Sequence, residues 1–167
     1  MEIEKVLISG CLVGLKVRYH GGDALCNSQV IDRWTKEDRI VSICPEVSAG
    51  LTIPRPSSEI THGTANDVLK GKATVFTNTG IDITDAFIKG AFKALSLAKK
   101  FNIKIAILKK DSPSCGNTTV FDGSFTGKIV SGSGVTAQLL NDNGIRVFNE
   151  LELYEADIYM RTLEVRS

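Results

Sequence analysis

Residues 103–117, "IKIAILKKDSPSCGN", pass from a strongly apolar run through two lysines into a turn that carries Cys115. So short an apolar run reads as a strand buried on both faces of a parallel sheet, and Cys115 then sits where the chain leaves that strand. "KVLISG" at 5–10 and "RIVSIC" at 39–44 read the same way. A fourth strand is expected at 145–150, "IRVFNE", just after the helix-stopping residues Asn143 and Gly144.

Helical patterns lie between these runs. In "TDAFIKGAFKALSLAKKF" at 84–101, Thr84 is placed to cap, Asp85 suits the positive end, and Phe87, Ile88, Ala91, Phe92, Leu95 and Ala98 make one apolar face. Lys99 and Lys100 favour the other end. Shorter helices are expected at about 24–36 and 134–142. This alternation predicts an open, mostly parallel α/β sheet of the doubly wound type, with helices on both faces. The stretches 45–80 and 110–133 are richer in Gly, Pro, Ser, Thr and Asn and read as ordered loops anchored by Leu51, Ile53, Phe121 and Phe125.

A chain of 167 residues with 43% hydrophobic content suits a single domain, 1–167, with one packed core. Its formal net charge of +1 lacks the broad positive field that non-specific nucleic-acid binding needs, so no stable nucleic-acid complex is expected. No apolar run approaches the ~20 residues of a membrane-spanning helix, and the N-terminus does not read as a signal peptide; a cytoplasmic protein is expected.

Four cysteines are present, Cys11, Cys26, Cys44 and Cys115. Three of them fall at strand ends: Cys11 after the first, Cys44 closing the second, Cys115 in the turn after the third. Ligands bind at the C-terminal edge of an open parallel sheet, so these three thiols are expected to converge on one crevice. Flanking Gly10, Gly14, Pro45, Pro113 and Gly116 make loops that expose backbone N–H groups there. Cys26, in the expected helix near Leu25 and Val30, reads as a small buried hydrophobe. Three thiolates suit Zn²⁺ with an open fourth position, or an iron–sulfur cluster with one iron lacking a protein ligand; without a C-x-x-C pair the spacing leaves the metal open.

"ISGCLVGLKVRYHGG" near the start, "CPEVSAGLTIPRPSSEI" at 44–60, "LKKDSPSCGN" at 108–117, "FDGSFTGKIVSGSGVTAQLL" at 121–140 and the closing "GIRVFNE" resemble, in order, the blocks of the family called domain of unknown function 523, the thiouracil desulfurases. The resemblance covers about 1–150 and leaves 151–167 as a C-terminal helix or tail. It implies a Rossmann-like domain with an oxygen-sensitive [4Fe–4S] cluster on Cys11, Cys44 and Cys115, one iron lacking a protein ligand, and no role for Cys26. It further implies Glu46 and Ser112 as the residues that assist the chemistry, the removal of sulfur from a small thiolated pyrimidine as sulfide without net redox change. The chain departs from the family pattern at Val47-Ser48-Ala49-Gly50, where a Gly-Gly pair is usual, and at His20, where an acidic residue is usual.

Arg18 and Tyr19 are candidates for addressing a substrate phosphate or base, or for ordering the loop beneath Cys11. Ser131, Gly132, Ser133 and Gly134 precede a helix and are candidates for the phosphate of a thiolated nucleotide. Arg55 and Glu59 are expected to form an ion pair that pins a proline-braced loop, and His62 is expected to be solvated. Two other readings remain open at this point: an iron–sulfur sulfur-transfer protein, and a non-catalytic Cys₃ metal-binding module.

Overall fold

A computed structural model describes residues 3–166 of the chain. The four expected strands are β1 (Val6–Ser9), β2 (Ile40–Ile43), β5 (Ile105–Leu108) and β8 (Arg146–Asn149), which form one sheet in the order β2-β1-β5-β8. Every pairing in it is parallel. The central strands β1 and β5 are buried along their whole length, as continuous apolar runs require. Side chains alternate across a strand, so the two strands feed two cores. Leu7, Ala106 and Leu108 face one; Val6, Ile8, Ile105 and Ile107 face the other.

Helices cover both faces. On the first lie α4 (Thr84–Lys100) and α5 (Val135–Asp142), joined by the short α2 (Pro45–Ser48) and α3 (Ala65–Leu69). On the second lie α1 (Gln29–Lys36) and α6 (Leu153–Arg166), which contribute Trp34, Leu153, Ala156 and Met160. The C-terminal segment is thus a helix packed on the sheet. Among the described residues no helix is long and apolar enough to cross a membrane.

Local expectations needed four corrections. First, α1 starts at Gln29, because Ser28 accepts the amides of Val30 and Ile31 as an N-cap. Residues 22–28 before it have no regular structure, with the amides of Ala24 and Cys26 bonded to the carbonyls of Cys11 and Leu12, so Cys26 lies in a loop and is only half-buried. Second, Thr84 is inside α4 and does not cap it; its hydroxyl donates to Asp82 and accepts the amide of Val75. Third, Phe92 is exposed and Ala94 buried, because the buried stripe of α4 follows Phe87, Ala91, Ala94 and Ala98.

Fourth, the two polar stretches hold antiparallel strand pairs as well as turns. Ser58–Thr61 (β3) pairs antiparallel with Thr74–Thr77 (β4), and Thr119–Phe121 (β6) with Ile129–Ser131 (β7). The signal was a set of β-branched residues bounded by glycine turns, diluted by the surrounding Ser and Thr.

Asp157 on α6 ties the second helical layer together. Its carboxylate pairs with Arg33 of α1, accepts the buried indole N–H of Trp34 at 3.2 Å and pairs with Arg161 at 2.8 Å. Burial works against its ionisation, but the hydrogen bonds and charges of these partners outweigh that and hold its pKa below the ordinary value. A carboxyl whose pKa is depressed by folding stabilises the protein above its unfolded value of about 3.9, and that contribution disappears as pH falls through the folded value. Asp157→Ala leaves Trp34 with an unsatisfied buried donor and is expected to cost about 1–3 kcal/mol in urea unfolding at neutral pH, with less difference from wild type in acid.

Candidate active site at the C-terminal edge of the sheet

The register sets the site. Ser9 stands opposite Ile43 and Leu108 opposite Asn149, so the residues that follow β1, β2, β5 and β8 emerge on one edge. Cys11 follows β1 in a single 3₁₀ turn, Gly10–Val13, and Cys44 is the N-cap of α2 directly after β2. Cys115 lies in the turn beyond β5. All three line one cavity of about 370 Å³, together with Glu46, Ser112, Arg18, Tyr19 and Arg55.

The Cys115 turn is held from two sides. Inside it, Ser112 Oγ accepts the amides of Ser114 and Cys115, both at 3.1 Å, which keeps its own hydroxyl proton available for donation. From outside, α5 presses its N-terminus against the turn: the amides of Val135 and Thr136 donate to the carbonyls of Pro113 and Ser114 at 2.9 Å. Helix N-termini leave such donors unpaired, and here the cysteine turn takes them.

That packing changes the reading of Ser131, Gly132, Ser133 and Gly134. None of the four lines the cavity. The amides of Gly132 and Gly134 donate to the carbonyls of Thr118 and Gly116, and the Ser133 hydroxyl donates to Gln138. The two glycine amides and the Ser133 hydroxyl are thus spent on the protein, and the segment braces the Cys115 turn from outside the cavity.

Arg55 does not pair with Glu59. Its Nε and one terminal nitrogen bind Glu46 Oε2 at 2.8 and 2.7 Å. Glu59, buried on β3, instead accepts the amides of Gly123 and Phe125 and holds the β6–β7 hairpin against the cavity wall. Residues 55 and 59 fall on separate segments, the loop and the strand, and only the loop faces α2. Arg18 is on the cavity wall and stacks over the Tyr19 ring at 5.9 Å. His20 is exposed, accepts the Gly22 amide, and lies outside the lining, as do Val47, Ser48, Ala49 and Gly50. His62 is exposed, as expected.

Electrostatically the thiols are unfavourable places for bare charge. Burial pushes the Cys11 thiol up to about 11, with opposition from Arg18, and its neighbour Cys44 adds to the rise. Burial likewise raises Cys44, against hydrogen bonds from the amides of Val47 and Glu46. It raises Cys115 most, although the Ser9 hydroxyl hydrogen-bonds that sulfur, and both other thiols contribute to the rise. Three buried thiols in one cavity call for a strongly positive partner if they are to ionise together. Soft sulfur donors suit iron or zinc. Among the described residues no three His, Cys, Asp or Glu side chains are arranged to hold a single metal ion. Three thiols lining one cavity are a soft donor set that fits an iron–sulfur cluster.

Ser9 and Lys109 were not singled out from sequence. Ser9 holds the Lys109 amide as well as the Cys115 sulfur, and Lys109 Nζ pairs with Glu150 at 2.8 Å beside Cys11. The available signal was a lone serine ending an otherwise apolar strand.

A parallel α/β sheet here gathers three thiols, a carboxylate and a guanidinium into one cavity at its C-terminal edge. The chain belongs to the 2-thiouracil desulfurase family, whose pattern matches residues 6–152. Membership makes it an enzyme of the desulfurase class. It is 44% identical over 148 residues to the uncharacterized protein YbbK of Bacillus subtilis (strain 168), spanning 89% of this chain and 97% of that one. Its fold is similar to the solved structure of the [4Fe-4S]-dependent thiouracil desulfidase TudS, with a TM-score of 0.88 and 38% identity over 95% of this chain and 99% of that chain.

Proposed function

We propose that the protein is an iron–sulfur desulfidase that converts the thiocarbonyl of a small thiolated uracil to a carbonyl. Cys11, Cys44 and Cys115 would hold a [4Fe–4S] cluster with one iron free of protein ligands. Bound there, the cluster would supply soft Lewis acidity suited to a thiocarbonyl sulfur. The carrying observation is that one cavity is lined by three thiols from separate segments together with Glu46 and Ser112.

The chain's own groups divide the remaining work. Both contacts of Arg55 fall on Glu46 Oε2, which leaves Oε1 free to take a proton from water. The water oxygen then bonds to the thiocarbonyl carbon, and the C–S bond breaks. Water's two protons end on the departing sulfur, so thiouracil and water become uracil and hydrogen sulfide with no change of oxidation state. Ser112, whose oxygen already accepts two amides, donates its proton to substrate or water. Arg18 and Tyr19 at the cavity wall bind the pyrimidine or what is attached to it.

Anaerobic reconstitution with iron and sulfide, followed by assay of sulfide together with uracil from 2-thiouracil, or with uridine monophosphate from thiouridine monophosphate, tests this reading. Both products are expected in equal amounts, with visible iron–sulfur absorption. A sulfur-transfer protein would keep the absorption and yield no uracil. A zinc site would be colourless, because Zn²⁺ is d¹⁰.

A further inference from the structure

Arg55 lies in the loop before β3 and is nearly buried, with a side chain 7% exposed against 15% for Glu46. Its planar fork is almost fully used. Beyond the two contacts to Glu46 Oε2, one terminal nitrogen donates to the Val17 carbonyl at 3.0 Å and the other to the Thr52 carbonyl at 3.3 Å. The Val17 carbonyl also accepts the Cys44 thiol at 3.8 Å. One guanidinium therefore connects the loop below Cys11, the turn that bears Cys44 and the loop that precedes β3.

Glu46 has no other restraint on its carboxylate among the described residues. Its backbone is set in the first turn of α2, where its carbonyl accepts the Leu51 amide, but the flexible side chain is aimed only by Arg55. A carboxylate gripped at one oxygen keeps the lone pairs of the other for a proton. Gripping it with a planar fork fixes the orientation of the whole group, which a single ammonium cannot do.

We propose that Arg55 is the positioning residue of the reaction: it anchors Oε2 of Glu46 so that Oε1 is held toward the water that attacks the thiocarbonyl carbon. The inference rests on Glu46 acting as the base of the proposed desulfidase. Arg55 spends its donors on the oxygens of Glu46, Val17 and Thr52. It acts through Glu46, and misaiming a reacting group by about 1 Å costs on the order of 10²-fold in rate.

A double-mutant cycle on the reconstituted protein tests this. Glu46→Gln is expected to lower kcat by roughly 10²–10⁴-fold, the range for losing general-base help. Arg55→Lys keeps the charge but not the fork and is expected to lower kcat by about 10²-fold, with KM within about threefold and full cluster absorbance. Because Arg55 works only through Glu46, the double variant is expected to be no slower than Glu46→Gln alone. A second readout uses the metal-free protein: the infrared carboxylate band that disappears in Glu46→Gln is expected to shift in Arg55→Lys. Additive losses, unchanged kcat in Arg55→Lys, an unshifted band, or cluster loss in Arg55→Lys would each overturn the proposal, the last by assigning Arg55 to the scaffold. Wild-type protein that binds its cluster yet releases no sulfide sinks the desulfidase reading instead, and the infrared band still decides whether Arg55 aims Glu46.

Discussion

Cys115→Ala is expected to abolish cluster retention and sulfide release together. The thiol is 6% exposed at the base of the cavity, so its loss opens a small apolar void that no other soft donor among the described residues fills. Disturbing even a partner of a metal ligand typically costs 10–100-fold, so removing a ligand should exceed about 10²-fold in cluster affinity. Cys11→Ala and Cys44→Ala are expected to behave alike. Cys26→Ala should retain iron and sulfide at the wild-type ratio, because Cys26 lies outside this cavity, beside Leu12, Leu25 and Ile31. Iron and acid-labile sulfide counted after anaerobic desalting check this, and equal loss in all four variants would remove the assignment. The raised thiol pKa values add a pH dependence. Each ligand must shed a proton to bind, so loading should release protons and weaken as pH falls.

Gly134→Ala is expected to destabilise the protein by about 3 kcal/mol or more and to impair cluster retention, although it touches neither cluster nor substrate. A Cβ at position 134 would lie 2.3 Å from the carbonyl carbon of Ser114 and 2.7 Å from the Cys115 nitrogen. The backbone there has φ −75° and ψ 164°, which alanine adopts freely, so the cost is steric alone. Both obstacles are main-chain atoms, and no rotamer change relieves them. Either α5 recedes and loses its bonds to Pro113 and Ser114, or the cysteine turn moves. The melting temperature should fall by roughly 6–12 °C, while Ser133→Ala next to it stays within about 1 kcal/mol. Gly90 of α4 serves Cys44 in the same way, since a Cβ there would meet the Pro45 oxygen at 2.3 Å. Alanine normally favours a helix interior by about 1 kcal/mol over glycine, so a loss at position 90 would isolate the packing term.

The fold was legible where a signal is local and repeated. Burial on both faces makes β1 and β5 continuous apolar runs, and the helix α4 shows its period over four turns. The antiparallel pairs β3–β4 and β6–β7 were hidden because each strand is short and at most partly buried, so alternation lasts too few residues to stand out from the polar background. At the site, strand-end position marked Cys11, Cys44 and Cys115 as neighbours, since parallel strands deliver all their C-terminal ends to one edge.

By itself the sequence determined a parallel α/β sheet, the edge at which its thiols gather, and the family to which the blocks from Cys11 to Glu150 are similar. Those features depend on side-chain type and on the period of a single segment. Tertiary structure alone decided that Arg55 grips Glu46 and not Glu59, that the glycine amides before α5 donate to the carbonyls of Thr118 and Gly116, and that Ser9 reaches the Cys115 sulfur. Each of these choices is a contest between partners on different segments, where a donor has several acceptors of equal chemistry and only the packed distance selects one.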